Sequence, residues 1–332
     1  MRAIVVSALL LCACPLLAEP AVGDVAPKFK LKGEVINWPE CDNLEACAGD
    51  VILIHEWETR DMGSAKDLEG IQKRWDERGG KGFHVFAIHR LDHRKYWDVV
   101  EFMADKGYTF CVPMGGFYAA SDFGNYKAEK DFHTCVIGVD GKVAFYGNAG
   151  WQDVCDAELK KCIYPGLTKH SVAKPVEDCA ANFMKRAFGR ALNAAAKLKD
   201  SSDANVKADA ELVIARATAF GASLQARIDA AKESKHYILA IELLARMAEE
   251  FKDHELGKKG DADLKAMKND KALKPEIKCG EAYKKLLDEI KKKERKERIA
   301  ALKAFAARYK DMQAGRDADA LAKALEESLK DS

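Results

Sequence analysis

The chain has 332 residues, 48% of them hydrophobic and 32% charged, with a formal net charge of +1. That length suits two domains with an ample core. So small a charge supplies no global field for nucleic acid or an anionic membrane, and no nucleic-acid partner is expected. After the first residues no run is long and uncharged enough for a transmembrane segment.

Residues 1–18 read as a signal peptide, with Arg2 as the positive start, Ala3 to Cys14 as the apolar run and Leu16-Leu17-Ala18 as the cleavage site. Lipoprotein processing at Cys14 fits less well, because Pro15 follows it. An exported protein, periplasmic or extracellular, is expected. Eight cysteines then remain: Cys41, Cys47, Cys111, Cys135, Cys155, Cys162, Cys179 and Cys279. An even number in an exported chain favours structural disulfides. The pairs close in sequence, Cys41 with Cys47 and Cys155 with Cys162, are the disulfide candidates, with connectivity left open. There is no Cys-x-x-Cys, which argues against a zinc knuckle, and no cofactor is expected.

Short apolar runs alternate with amphipathic stretches up to about residue 168, the pattern of βαβ units. Val51 to Ile54 is a buried strand and Ser64 to Arg78 a helix with Leu68, Ile71 and Trp75 on one face. Phe83 to Ile88 is a strand, Trp97 to Lys106 a helix and Tyr108 to Val112 a short strand. His133 to Val139 and Lys142 to Tyr146 form a hairpin about Asp140-Gly141, and Gln152 to Ile163 is a closing helix. The expected divisions are a domain at 19–168, a linker at 169–177 and an all-helical domain at 178–332. Within the last, Phe251-Lys252-Asp253 with Gly257, Asp261-Ala262 and Lys265-Ala266 recurs as Tyr309-Lys310-Asp311 with Gly315, Asp319-Ala320 and Lys323-Ala324. A constant offset marks a repeat of helical hairpins, with Leu198-Lys199-Asp200 and Asp209-Ala210 as a worn third copy. Such a tail suits protein partners.

Several stretches carry a family resemblance in order: Val22-Gly23-Asp24-Val25-Ala26-Pro27-Lys28-Phe29, Gly49-Asp50 entering the first central strand, Trp57-Glu58-Thr59 and Asp140-Gly141-Lys142-Val143. Over residues 22–165 the chain resembles the redoxin branch of the thioredoxin superfamily. The resemblance implies an α/β thioredoxin-like domain, a central mixed sheet flanked by helices, ahead of the all-α helical-hairpin region. It also implies where chemistry should sit: two cysteines at the strand-to-helix turn, the first a thiolate favoured by the helix N-terminus. Asp61 and Ser64 stand there instead, and Phe132 occupies the family's cis-proline position. Asp61 reads as an N-cap rather than an acid or base, and Ser64 with Asp67 as an alternative capping box.

The reading is a non-catalytic scaffold, chaperone-like or protein-binding, with partners reached through the helical tail or the former redox groove. The alternative is a thiol-disulfide oxidoreductase using the displaced cysteines Cys111 and Cys135. A weaker possibility is a metal held by His133 and Cys135, which share a strand face, with Cys111. His84, His89 and His93 are expected at the surface, and the basic run Lys291 to Arg298 on a solvated helix face.

Overall fold

The computed structural model describes residues 20–59, 61–90, 96–115, 126, 133–167 and 172–330. The signal peptide at 1–18, Phe132 and His93 lie outside them.

β2 (Val51–Trp57) and β3 (Phe83–His89) are buried along their whole length, as strands covered on both faces must be. They pair in parallel, joined by α1 (Met62–Arg78). β5 (Thr134–Ile137) lies antiparallel on the other side of β2, and β6 (Val143–Gly147) antiparallel beyond it. The four-stranded mixed sheet therefore runs β3-β2-β5-β6. A two-residue pairing joins β1 (Val35–Ile36) to β4 (Val112–Pro113). The strand expected at 108–112 is thus shorter and later, although Cys111 still bridges to Phe86.

Side-chain alternation along the strands builds two cores. Val51, Leu53, Phe83, Val85 and Ala87 face Leu68 and Ile71 of α1, Val99 and Met103 of α2 (Tyr96–Lys106), and Trp151 and Leu159 of α3 (Trp151–Lys161). Ile52, Ile54, Phe86 and Ile88 belong to the other core, which includes Phe29 and Leu31 and continues into the helices that follow.

Those helices are α4 (Glu177–Met184), α5 (Phe188–Ala195), α6 (Ala204–Glu233), α7 (Tyr237–Glu250), α8 (Glu255–Asn269), α9 (Lys274–Ile290), α10 (Arg295–Arg308) and α11 (Gln313–Lys330). The repeat is visible as geometry. Phe251 ends α7 and Tyr309 ends α10. At the next helix, Gly257 and Gly315 each lie so close to that residue's carbonyl that a Cβ would collide with it. One turn on, Asp261–Lys265 and Asp319–Lys323 form matching i,i+4 ion pairs. The worn copy at 198–200 likewise falls between two helices, α5 and α6.

Charged contacts fasten the helices to the sheet region. Arg295 and Arg298 hold Glu101 of α2 at 2.6 and 3.0 Å, so part of the basic run is an attachment rather than a solvated face. Glu40 receives both Arg186 and Arg246.

His236, at the start of α7, contacts Asp317 of α11 at 3.0 Å. The Asp317 hydrogen bond raises the imidazole above its ordinary 6.5, against a smaller opposing effect of burial. Burial pushes Asp317 up, but hydrogen bonds from His236 and Gln313 hold it below its ordinary value. The signs follow from linkage. The histidine's contribution is complete below the unfolded pKa and fades as pH rises through the raised folded value. The aspartate's is complete above its unfolded pKa and fades as pH falls through the lowered one. The pair should therefore stabilise most between roughly pH 4 and 6.5. For so exposed a contact the gain is about 1 kcal/mol at most. His236→Gln should remove that window from a stability-versus-pH profile; a variant profile parallel to that of the parent would contradict it.

Candidate functional site

β2 delivers the chain to the turn where the sequence resemblance led two cysteines to be expected. Asp61 caps α1, accepting from the amides of Gly63 at 2.7 Å and Ser64 at 3.1 Å. These are the donors a thiolate at this place would use. Ser64 Oγ accepts from the Glu58 amide at 3.2 Å and donates to the Asp61 carbonyl at 3.3 Å. Both replacements are therefore spent on the turn itself. The alternative capping box does not form, because Asp67 accepts instead from Trp151 Nε1 at 3.1 Å and Gln152 at 3.4 Å. Removing the cap by Asp61→Ala should cost about 1 kcal/mol, read as a lower urea midpoint; an unchanged midpoint would remove the carboxylate from this role.

Beneath the turn lies His55, which the sequence reading passed over. Its Nε2 is 3.1 Å from the Ser64 carbonyl and its Nδ1 2.8 Å from Thr134 Oγ. Burial lowers its pKa. In the neutral ring Nε2 carries the proton, because the carbonyl can only accept, and Nδ1 receives the threonine hydroxyl. The imidazole ties α1 to β5. Its signal in the sequence was a polar residue in the middle of an apolar strand.

The structure does not bring Cys111 and Cys135 together. Cys111 bridges to Phe86, Phe86 pairs with Ile54, and Ile54 pairs with Cys135. Three strand spacings separate them, roughly 14 Å, far outside disulfide reach. Burial raises both thiols, Cys135 to about 12 and Cys111 well above its ordinary value. The displaced redox pair is thereby excluded, and so is Cys111 as a co-ligand of Cys135. His133 packs on Tyr146, with ring centroids 5.3 Å apart.

No disulfide joins any of the eight cysteines. For Cys155 and Cys162 the reason is geometric. Helix α3 runs from Trp151 to Lys161 and Cys162 ends it, so seven residues of helical rise hold the two about 10 Å apart. Burial holds each thiol at about 12.

Cys41 and Cys47, by contrast, meet at the opposite end of the sheet, where β2 begins. Together with His84 of β3 they place their ligand atoms within 4.8 Å of one another, the only such group of three among the described residues. All three are buried, as is His89, which corrects the expectation of surface histidines. Cys41 falls to about 7, first through the Cys47 thiol's hydrogen bond and then, against burial, through His84 and Arg216. Burial and the Cys41 contact push Cys47 up. His84 Nε2 donates to Asp50 Oδ2 at 2.8 Å. Arg216, reaching in from α6, donates to the same carboxylate oxygen, and to the Ala48 and Pro165 carbonyls at 2.8 and 3.0 Å. Its approach depends on Gly49 and Gly166, at φ +82° and +84°: a Cβ on Gly49 would strike the Gly166 backbone, and one on Gly166 would strike the Ala48 carbonyl and the Arg216 guanidinium itself. Asp50 and Arg216 were not legible as site residues.

No protein-family profile matches this sequence, and no curated protein does. Among solved structures the chain is similar to a thiol:disulfide interchange protein DsbE from Chlorobium tepidum (21% identity, TM-score 0.35, covering 42% of this chain and 99% of that one). It is also similar to the thioredoxin domain of a thiol-disulfide oxidoreductase from Bacteroides vulgatus (17%, 0.32, 42% and 96%). A third is a secreted thiol-disulfide isomerase from Corynebacterium glutamicum (18%, 0.32, 44% and 93%). The N-terminal part of the chain is an α/β unit, with a mixed sheet and flanking helices, and the part that follows is all helical.

Proposed function

We propose that this chain is an exported, non-catalytic member of the redoxin branch, a thioredoxin-fold scaffold that presents helical hairpins to a protein partner. The carrying observation is the turn after β2, where Asp61 and Ser64 hold the helix start with bonds that close on the turn itself. A nucleophile there needs a sulfur at the helix N-terminus, and this turn keeps the geometry without the sulfur. The division into a leader at 1–18, a scaffold at 19–168, a linker at 169–177 and a helical module at 178–332 belongs to the same reading. So does a periplasmic or extracellular location. Among the described residues no helix is long and apolar enough to cross a membrane. The repeated hairpins are stackable units of the kind that build extended binding surfaces.

The test is turnover by the full chain in insulin reduction and peroxide consumption. No activity above the uncatalysed rate is expected. Turnover that survives Ser64→Ala and vanishes in Cys41→Ser would replace this reading with an oxidoreductase centred on the buried pair.

A further inference from the structure

We infer that Cys41, Cys47 and His84 form a buried site for a thiophilic divalent cation, with Zn²⁺ as the ion that fits. The inference is independent of the scaffold reading, since it concerns the other end of the sheet. Eight residues of extended chain, on the order of 25 Å, separate Asp50 from the former redox turn.

Spacing comes first. Zinc sits about 2.3 Å from a thiolate and about 2.0 Å from an imidazole nitrogen, so ligand atoms around it lie roughly 3.5–4 Å apart. Three ligand atoms within 4.8 Å of one another already approximate that arrangement. They come from two parts of the chain: the loop before β2 supplies both thiols, and β3, rigid within the sheet, supplies the imidazole.

The surroundings of the histidine are those of a metal ligand. A ligating imidazole characteristically gives its other N–H to a carboxylate, which fixes ring and tautomer. Here Nε2 gives its proton to Asp50, leaving Nδ1 for an ion. Asp50 is in turn anchored by Arg216, so the orienting carboxylate cannot swing away.

Charge decides between cation classes. Bound as ligands, both thiols lose their protons to solvent and contribute two negative charges. Asp50 adds one negative charge and Arg216 cancels it, while His84 binds neutral. A divalent ion brings this buried set to zero, the condition that low-dielectric burial rewards. A monovalent ion leaves it negative. Thiolate and imidazole ligands select zinc over hard cations such as magnesium and calcium. The Ala46 carbonyl accepts from Cys41 Sγ at 3.3 Å, so an oxygen lies beside one of the two thiols. With every protein ligand buried, exchange of a bound ion should be slow and should need the 41–47 loop to open.

The experiment uses the full chain, purified under reducing conditions, with Zn²⁺ alone as probe and Co²⁺ as its spectroscopic substitute. About one zinc per chain is expected by elemental analysis, held against brief exposure to chelator. Co²⁺ should give sulfur-to-metal charge transfer and the intense visible bands of tetrahedral thiolate ligation. Cys41→Ser, Cys47→Ser and His84→Gln should each lose the ion, whereas Cys111→Ser and Cys135→Ser should keep it. The cobalt spectrum of the parent chain keeps the test decisive if a ligand variant fails to fold. Zinc content unchanged in Cys41→Ser, a cobalt spectrum lacking charge transfer, or no bound zinc at all would overturn the assignment. So would a Cys41–Cys47 disulfide as the stable form of protein isolated without reductant.

Discussion

Arg216→Met in the full chain should lose about 3–5 kcal/mol of stability, because it leaves a buried carboxylate without its cationic partner. Asp50 and Arg216 have side chains 0% and 3% exposed, so water cannot take over the role of either. Burial alone would protonate Asp50; the contacts from His84 and Arg216 hold it below its usual range instead. The variant also strands the Ala48 and Pro165 carbonyls, which the guanidinium now satisfies. The measurement is the guanidinium unfolding midpoint at neutral pH. Adding Asp50→Asn should restore part of the loss, since it removes the unpaired charge while keeping a partner for His84. A penalty below about 1 kcal/mol would show that the charge is relieved by local opening rather than carried by the native core.

Trp57→Ala should cost about 3–5 kcal/mol, the range for emptying a large aromatic site in a core that cannot collapse. Trp57 is fully buried at the end of β2 and packs edge-on against His89 at 4.7 Å and beside Phe102 at 5.5 Å. Its Nε1 donates to the Ala87 carbonyl at 3.1 Å, a bond across the parallel β2–β3 pair that alanine cannot replace. Trp57→Phe should recover most of the packing and lose only that bond, leaving a deficit of about 1–2 kcal/mol. Equal losses in the two variants would mean that the hydrogen bond, and not the filled volume, carries the effect.

Much of the scaffold was legible because it depends on local alternation. The apolar run at 51–54, the helix beginning near Ser64 and the Asp140-Gly141 hairpin are each dictated by neighbours within a few residues. The observed helix starts at Met62 because Asp61, not Ser64, takes the cap. The hairpin repeat was legible for the same reason: Gly257 and Gly315 answer to carbonyls only six residues before them.

Pairing was the point at which local reasoning failed. Nearness in sequence suggested Cys155 with Cys162, but helical rise keeps them apart. Expected closeness to the former redox groove suggested Cys111 with Cys135, but two strands lie between them. The histidines were expected at the surface because alternation reports which face a residue points to, not whether another layer covers that face. Arg216 carried no signal, because its partner Asp50 lies 166 residues away and neither side chain shows its pairing locally.

The sequence by itself determined that the turn after β2 has no cysteine at residues 61 and 64, since their identity is a covalent fact that no fold can alter. It also indicated the succession of strands and helices between residues 51 and 163, through periodicities that act over one or two turns, but not the strand at Val35–Ile36. Only the tertiary structure decided that Cys41, Cys47 and His84 converge, and that Asp50 and Arg216 neutralise each other beside them. Convergence of that kind depends on which loop lies over which strand end. Burial sets its energetics, because removing these groups from water forces each to find a partner that the chain supplies from far away.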